Sequence, residues 1–86
     1  MFLHLGGDIL ISQEKIIAIL DLETVMRNSA SEKFLNNIIN NGDIQNITTG
    51  KEKSLVVTVD GNYLSPISST TLLKRSDSKR SDSIFL

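Results

Sequence analysis

Cysteine and tryptophan are absent from this chain of 86 residues, and proline and histidine each occur once. Without thiols there is neither a disulfide framework nor a thiolate metal site, which fits a reducing cytosol. His4 alone cannot build a histidine-rich metal site, so no metal or other cofactor is expected. No apolar run approaches the roughly 20 residues that cross a bilayer, so no membrane partner is expected. The opening Met1-Phe2-Leu3-His4-Leu5 has no basic flank and no long apolar stretch. It does not read as a signal peptide, and the expected location is cytoplasmic. A chain of this length has room for one domain with a thin core, for which oligomerisation is a common remedy.

A bulk excess of positive charge is missing as well. The net charge of -1 hides an asymmetry: residues 1–73 hold five cations and eight anions, whereas residues 74–86 hold four cations and two anions. Any footprint for nucleic acid therefore has to be local.

What is present is a series of short β-rich segments around one good helix. Met1–Leu5 is apolar, Gly6-Gly7-Asp8 signals a turn, and Ile9-Leu10-Ile11 reads as a second strand. Ile16 to Leu22 is rich in β-branched residues and predicts a buried strand. Ser29 and Glu32 stand in S-x-x-E spacing, which predicts a capping box at the start of a helix. Ala30, Phe34, Leu35, Ile38 and Ile39 then share one stripe, and Asn40-Asn41-Gly42 ends it. Ile44 to Thr49 alternates before a polar loop. Leu55-Val56-Val57-Thr58-Val59 is the strongest strand. Asp60-Gly61 predicts a type I′ hairpin turn into Asn62–Ser65, which Pro66 stops. Ser68 or Ser69 caps a short helix through Arg75. The pentapeptide Lys-Arg-Ser-Asp-Ser then occurs twice, over 74–78 and 79–83, in a segment whose composition predicts a flexible tail over 76–86. The expected fold is α+β: a small single domain of short antiparallel strands, one main helix and a short C-terminal helix. Open strand edges favour self-association.

Catalytic chemistry finds little to work with. Serines are plentiful, but the sole imidazole is His4, inside an apolar segment, where a structural role is the expected one. The carboxylates stand singly in turns, and Gly6-Gly7 belongs to no phosphate-binding loop pattern. No enzyme and no small-molecule substrate are expected. Lys51 and Lys53 flank Glu52 in a loop that opens with Gly50 and enters the strongest strand. Lys15 lies in a second inter-strand turn. These positions suit phosphate contacts, but on composition alone a solvated charged loop is the favoured explanation, because Glu52 dilutes the local potential.

Phe2-Leu3-His4-Leu5-Gly6, Ile11-Ser12 with Lys15-Ile16-Ile17, Gly50 before a basic loop, Lys53–Val59 and Tyr63–Leu72 recur in one order and spacing. In these segments, spanning residues 1 to about 75, the chain resembles the Rem family of extracellular-matrix gene regulators in spore-forming Gram-positive bacteria. It is most similar to the RemB branch. The resemblance implies a domain over residues 1–75 that assembles as a homo-oligomeric ring. It also implies binding to the phosphate backbone of double-stranded DNA and regulation of biofilm-matrix transcription. The cationic positions of the family pattern fall on Lys15 and Lys51. Where RemA proteins carry a second arginine beside the latter, this chain has Glu52, and Lys53 compensates one position later. Arg75 and Arg80 add phosphate contacts. A lysine is a point charge where arginine is a fork, and Glu52 repels phosphate. The competing expectation is therefore a homo-oligomeric protein-interaction adaptor that does not touch DNA, favoured by the acidic balance of residues 1–73.

Overall fold

The computed structural model describes residues 2–76 together with the backbone of residues 84–85. The α+β expectation holds. Strands β1 (Phe2–Gly6) and β2 (Ile9–Ser12) form a hairpin. A 3₁₀ turn over Gln13–Lys15 leads into β3 (Ile16–Asp21), followed by helices α1 (Leu22–Arg27) and α2 (Ser29–Asn40). Then come β4 (Ile44–Asn46), β5 (Ser54–Thr58), β6 (Gly61–Ser65), α3 (Ser69–Arg75) and β7 (Ile84–Phe85). The main sheet has the order β4-β6-β5-β3-β7.

Alternation along the strands decides what lies on each face of that sheet. Leu20, Leu55 and Leu64 pack with Val25, Leu35 and Ile38 from α1 and α2. Ile19 and Val56 point the other way, to Leu3 and Leu5 of the hairpin and Leu72 of α3. β5 is therefore covered on both faces, which is why its sequence is a near-continuous apolar run. Two buried serines fasten the hairpin side. Ser65 Oγ donates to the Leu5 carbonyl at 2.6 Å and accepts from Ile67 N–H at 3.0 Å, and Ser54 Oγ donates to the Ile67 carbonyl at 2.8 Å. Gly6, with φ +114°, sits where an added Cβ would lie 3.0 Å from the Pro66 ring, so conformation and space both demand glycine.

The sheet is mixed rather than antiparallel throughout. β3–β5 and β5–β6 pair antiparallel, while β4 pairs parallel with β6, and β7 pairs parallel with β3 (Ala18 with Ile84, Ile19 with Phe85). The tail expected over 76–86 otherwise lies outside the described residues, as does Arg80. The strand expected over 16–22 stops at Asp21. Its carboxylate accepts from Glu23 N–H at 3.1 Å and so starts α1, a helix the sequence reading had not separated from the strand.

The capping box at Ser29 is also corrected. Asn28 is the cap: its Oδ1 accepts from Ala30 N–H at 3.0 Å and Ser31 N–H at 3.2 Å, so Ser29 is already the first helical residue. The other end closes as expected. Gly42 takes φ +74°, its N–H reaches the Ile39 carbonyl, and Asp43 N–H reaches Ile38 in a Schellman arrangement. Of the α2 stripe only Leu35 and Ile38 are buried; Ala30, Phe34 and Ile39 face outward. The β5–β6 turn differs too. Thr58 pairs with Gly61, so the loop residues are Val59 and Asp60, and neither has positive φ, which rules out type I′. At α3, Ser68 is the cap, accepting from Thr71 N–H at 3.3 Å.

The cap correction is directly testable. Asn28→Ala should destabilise the fold by about 1 kcal/mol and Ser29→Ala by a few tenths at most, measured by urea denaturation. The reverse order would restore the capping box.

Candidate functional site

The order β4-β6-β5 creates the most exposed cationic loop. Because β6 lies between β4 and β5, the chain leaving β4 must cross the end of β6 before β5 begins. Two backbone bonds pin that crossing: Ile47 N–H to the Leu64 carbonyl at 3.0 Å, and Lys53 N–H to the Ser65 carbonyl at 2.8 Å. Lys51 N–H closes a turn onto Thr48 at 3.2 Å, and Leu22 N–H bonds the Lys53 carbonyl at 3.1 Å. A loop anchored in this way has its backbone already ordered, so only the lysine side chains lose freedom on contact.

Burial alternates over this segment: Lys51 and Lys53 are exposed and Glu52 between them is half-buried. The Glu52 carboxylate is tied back, accepting from Asn46 Nδ2 at 2.6 Å. That hydrogen bond holds its pKa below the usual carboxylate range, with the backbone N–H groups of Glu52 and Gly50 as smaller causes and burial opposing. Neither lysine forms an ion pair among the described residues. The acid that divides the pair in sequence is thus engaged by β4, while it lines one cleft together with Lys53.

Lys15 is elsewhere. Val59 N–H donates to the Lys15 carbonyl at 3.0 Å, so Lys15 lies at the far end of β5 from Lys53. Lys53 and Val59 are separated by the length of β5, about 20 Å at ~3.3 Å per residue. The Lys15 ammonium is 2.8 Å from Asp60 Oδ2. The hydrogen bond that Lys15 donates to Asp60, then the charge of that carboxylate, raises the Lys15 pKa; partial desolvation opposes, and Tyr63 adds slightly. Arg75 is exposed in the last turn of α3 beside Lys74. The structure therefore brings Lys51 and Lys53 together and keeps Lys15 apart from them. Two residues that control these cations escaped sequence reasoning. Asn46 is a plain strand residue, and Asp60 is far from Lys15 along the chain, so neither carries a local signal.

His4, read as structural, is exposed, with Nε2 donating to the Gly7 carbonyl at 2.7 Å across the β1–β2 turn. Among the described residues no three His, Cys, Asp or Glu side chains cluster as a metal site, and no helix is long and apolar enough to cross a membrane.

Helices on one face of a mixed sheet and a hairpin on the other define a small α+β domain with exposed cations on separate loops. The sequence model of the RemA-like family, described as extracellular matrix regulatory protein A-like, matches residues 2–75, and the chain belongs to that family. It is similar to extracellular matrix regulatory protein B of Bacillus subtilis (strain 168): 39% identical over 75 residues, covering 87% of this chain and 89% of that protein. The family and the relative are both named as regulators, in keeping with a non-enzymatic protein.

Titration tests the Asn46 tie. A carboxylate whose folded pKa is depressed contributes stability that is present above its unfolded pKa of roughly 4.3 and lost as pH falls through the folded value. Asn46→Ala removes the leading cause, so the Glu52 midpoint, followed by carboxyl carbon NMR, should rise toward the ordinary range. A midpoint that stays put would reassign the depression to the backbone N–H groups.

Proposed function

We propose that this chain is a DNA-binding transcriptional regulator of extracellular matrix genes. In this reading it works as a homo-oligomeric ring that presents repeated lysines to the phosphate backbone of double-stranded DNA, in the cytoplasm. Lys51 and Lys53 make the primary contact, and Lys15 and Arg75 extend it. The observation that carries the reading is the pinned loop with both lysines exposed and the Glu52 carboxylate drawn back onto Asn46. The acidic residue that argued against phosphate binding is engaged by an amide, and a loop already ordered gives up little freedom on contact.

Self-association supplies what one copy lacks. A single subunit offers two lysines at one end of β5 and one about 20 Å away, too few for firm binding to a polyanion at physiological salt. Head-to-tail contacts that close into a ring repeat the site around one surface. Linked weak sites then gain affinity by about 10²–10⁴. Contacts of this kind follow the shape and bend of the duplex more than base sequence, since they are made to phosphate.

The test is fluorescence anisotropy with duplex DNA across a salt series, beside sedimentation to follow assembly. Log affinity should fall steeply with log salt, at about 0.9 per phosphate neutralised. Lys51→Ala with Lys53→Ala should weaken binding at least tenfold and flatten that slope, with the oligomer unchanged. Equal binding by the double variant would remove the loop from the interface. No retention of DNA by the parent at about 0.05 M salt would leave the protein-interaction adaptor as the better reading.

A further inference from the structure

The cations of this chain are not equally free. Lys51, Lys53 and Arg75 form no ion pair among the described residues, whereas Lys15 is held by Asp60 at 2.8 Å. The turn that carries Asp60 does not depend on that ion pair. Thr58 Oγ1 accepts from Asp60 N–H at 3.2 Å and donates to the Gly61 carbonyl at 2.7 Å, and Val59 N–H bonds the Lys15 carbonyl at 3.0 Å. Backbone groups and a threonine hydroxyl therefore place both partners, leaving the ammonium–carboxylate contact as an addition to an already formed turn.

That contact is also open to solvent. The Lys15 and Asp60 side chains are 53% and 59% exposed, so water screens their attraction and an incoming anion can reach the ammonium. The surroundings lean negative. Glu14 precedes Lys15 in the same 3₁₀ turn, and Asp43 and Asp60 line one open cleft together with Asn62 and Tyr63. Among these acids it is Asp60, at 2.8 Å, that occupies the Lys15 ammonium.

We propose that Asp60 is an intramolecular competitor for Lys15: it occupies the ammonium that would otherwise meet a phosphate of duplex DNA, and so limits how many cations each subunit contributes. The inference rests on the DNA-binding reading and adds a regulating residue to it. Asp60 opposes binding twice, by taking up Lys15 and by repelling the phosphate that would replace it. The two ends of β5 then differ in kind. At the Lys51–Lys53 end neither ammonium is held by an ion pair among the described residues, and the Lys15 end engages only when a polyanion outcompetes the carboxylate, which low salt favours.

The experiment is a two-by-two set in the full chain: parent, Asp60→Asn, Lys15→Met and the double variant. Each is titrated into fluorescent duplex DNA across a salt series, with Asp60→Ser as a second neutral variant suited to a turn. Thermal unfolding checks that each is folded. The expected result is that Asp60→Asn tightens binding several-fold at about 0.05 M salt and steepens the salt slope by about 0.9 per engaged subunit. Lys15→Met should weaken binding less in the parent than in the Asp60→Asn background, because Asp60 competes for its ammonium, and in the Lys15→Met background the Asp60→Asn gain should shrink. An equal gain with and without Lys15 would overturn the proposal, since removing any surface carboxylate would do the same. Unchanged affinity in both neutral variants, with binding still sensitive to Lys51 and Lys53, would also overturn it while leaving the DNA-binding reading intact. Failure of every form to bind would sink that reading, and this one with it.

Discussion

Because β6 is inserted between β4 and β5, the chain cannot pass directly from one neighbouring strand to the next. It has to step over the carboxyl end of β6, and the rest of the molecule is arranged around that crossing. The parallel pairing of β4 with β6 follows from it, and so does the loop over residues 47–53. The bonds to Leu64 and Ser65 hold the loop at both ends. A charged surface loop would ordinarily be mobile; here the strand order makes it part of the sheet edge. The cations of the candidate site are consequences of topology as much as of sequence.

The same strand pair supports the layer on the other side. Ser65 ends β6, receives Lys53 N–H at its carbonyl, and sends its hydroxyl to Leu5 in the first hairpin. Ser54, opposite it in the antiparallel register, reaches Ile67. Fully buried hydroxyls are costly unless paired, and both are paired to backbone across layers. One pair of neighbouring residues therefore joins the lysine loop, the sheet and the hairpin. Truncating either serine would remove a hydrogen bond that links β5 or β6 to a neighbouring segment.

Much of this was legible beforehand, for identifiable reasons. α2 announced itself through a helical stripe and a closing glycine, and β5 through an unbroken run of β-formers, because both signals are local. The D-G pair marked the right hairpin but the wrong loop residues, since the register is set by the pairing of Thr58 with Gly61 and not by the dipeptide. α1 was missed because Leu22 continues the apolar run of β3 without a break, and only the Asp21 cap separates them. At the site, Lys15, Lys51, Lys53 and Arg75 were all found as exposed cations. Lys51 and Lys53 were placed in one loop and Lys15 in another, but the Lys15–Asp60 pair was not read, because the two residues are far apart in the chain and meet only through the strand pairing.

By itself, the sequence determined most of the elements, the buried run of β5, and the membership of a regulatory family. Each of these is written in periodicity or in the order of short segments, which do not depend on how distant parts meet. The tertiary structure alone decided which charges are free. Glu52 is engaged because Asn46 of β4 reaches it with a side-chain hydrogen bond, and Lys15 is occupied because the β5–β6 turn delivers Asp60 to it. Both are contacts between separate elements, and an electrostatic interaction depends on distance in space, which a linear chain acquires only when its strands have found their order.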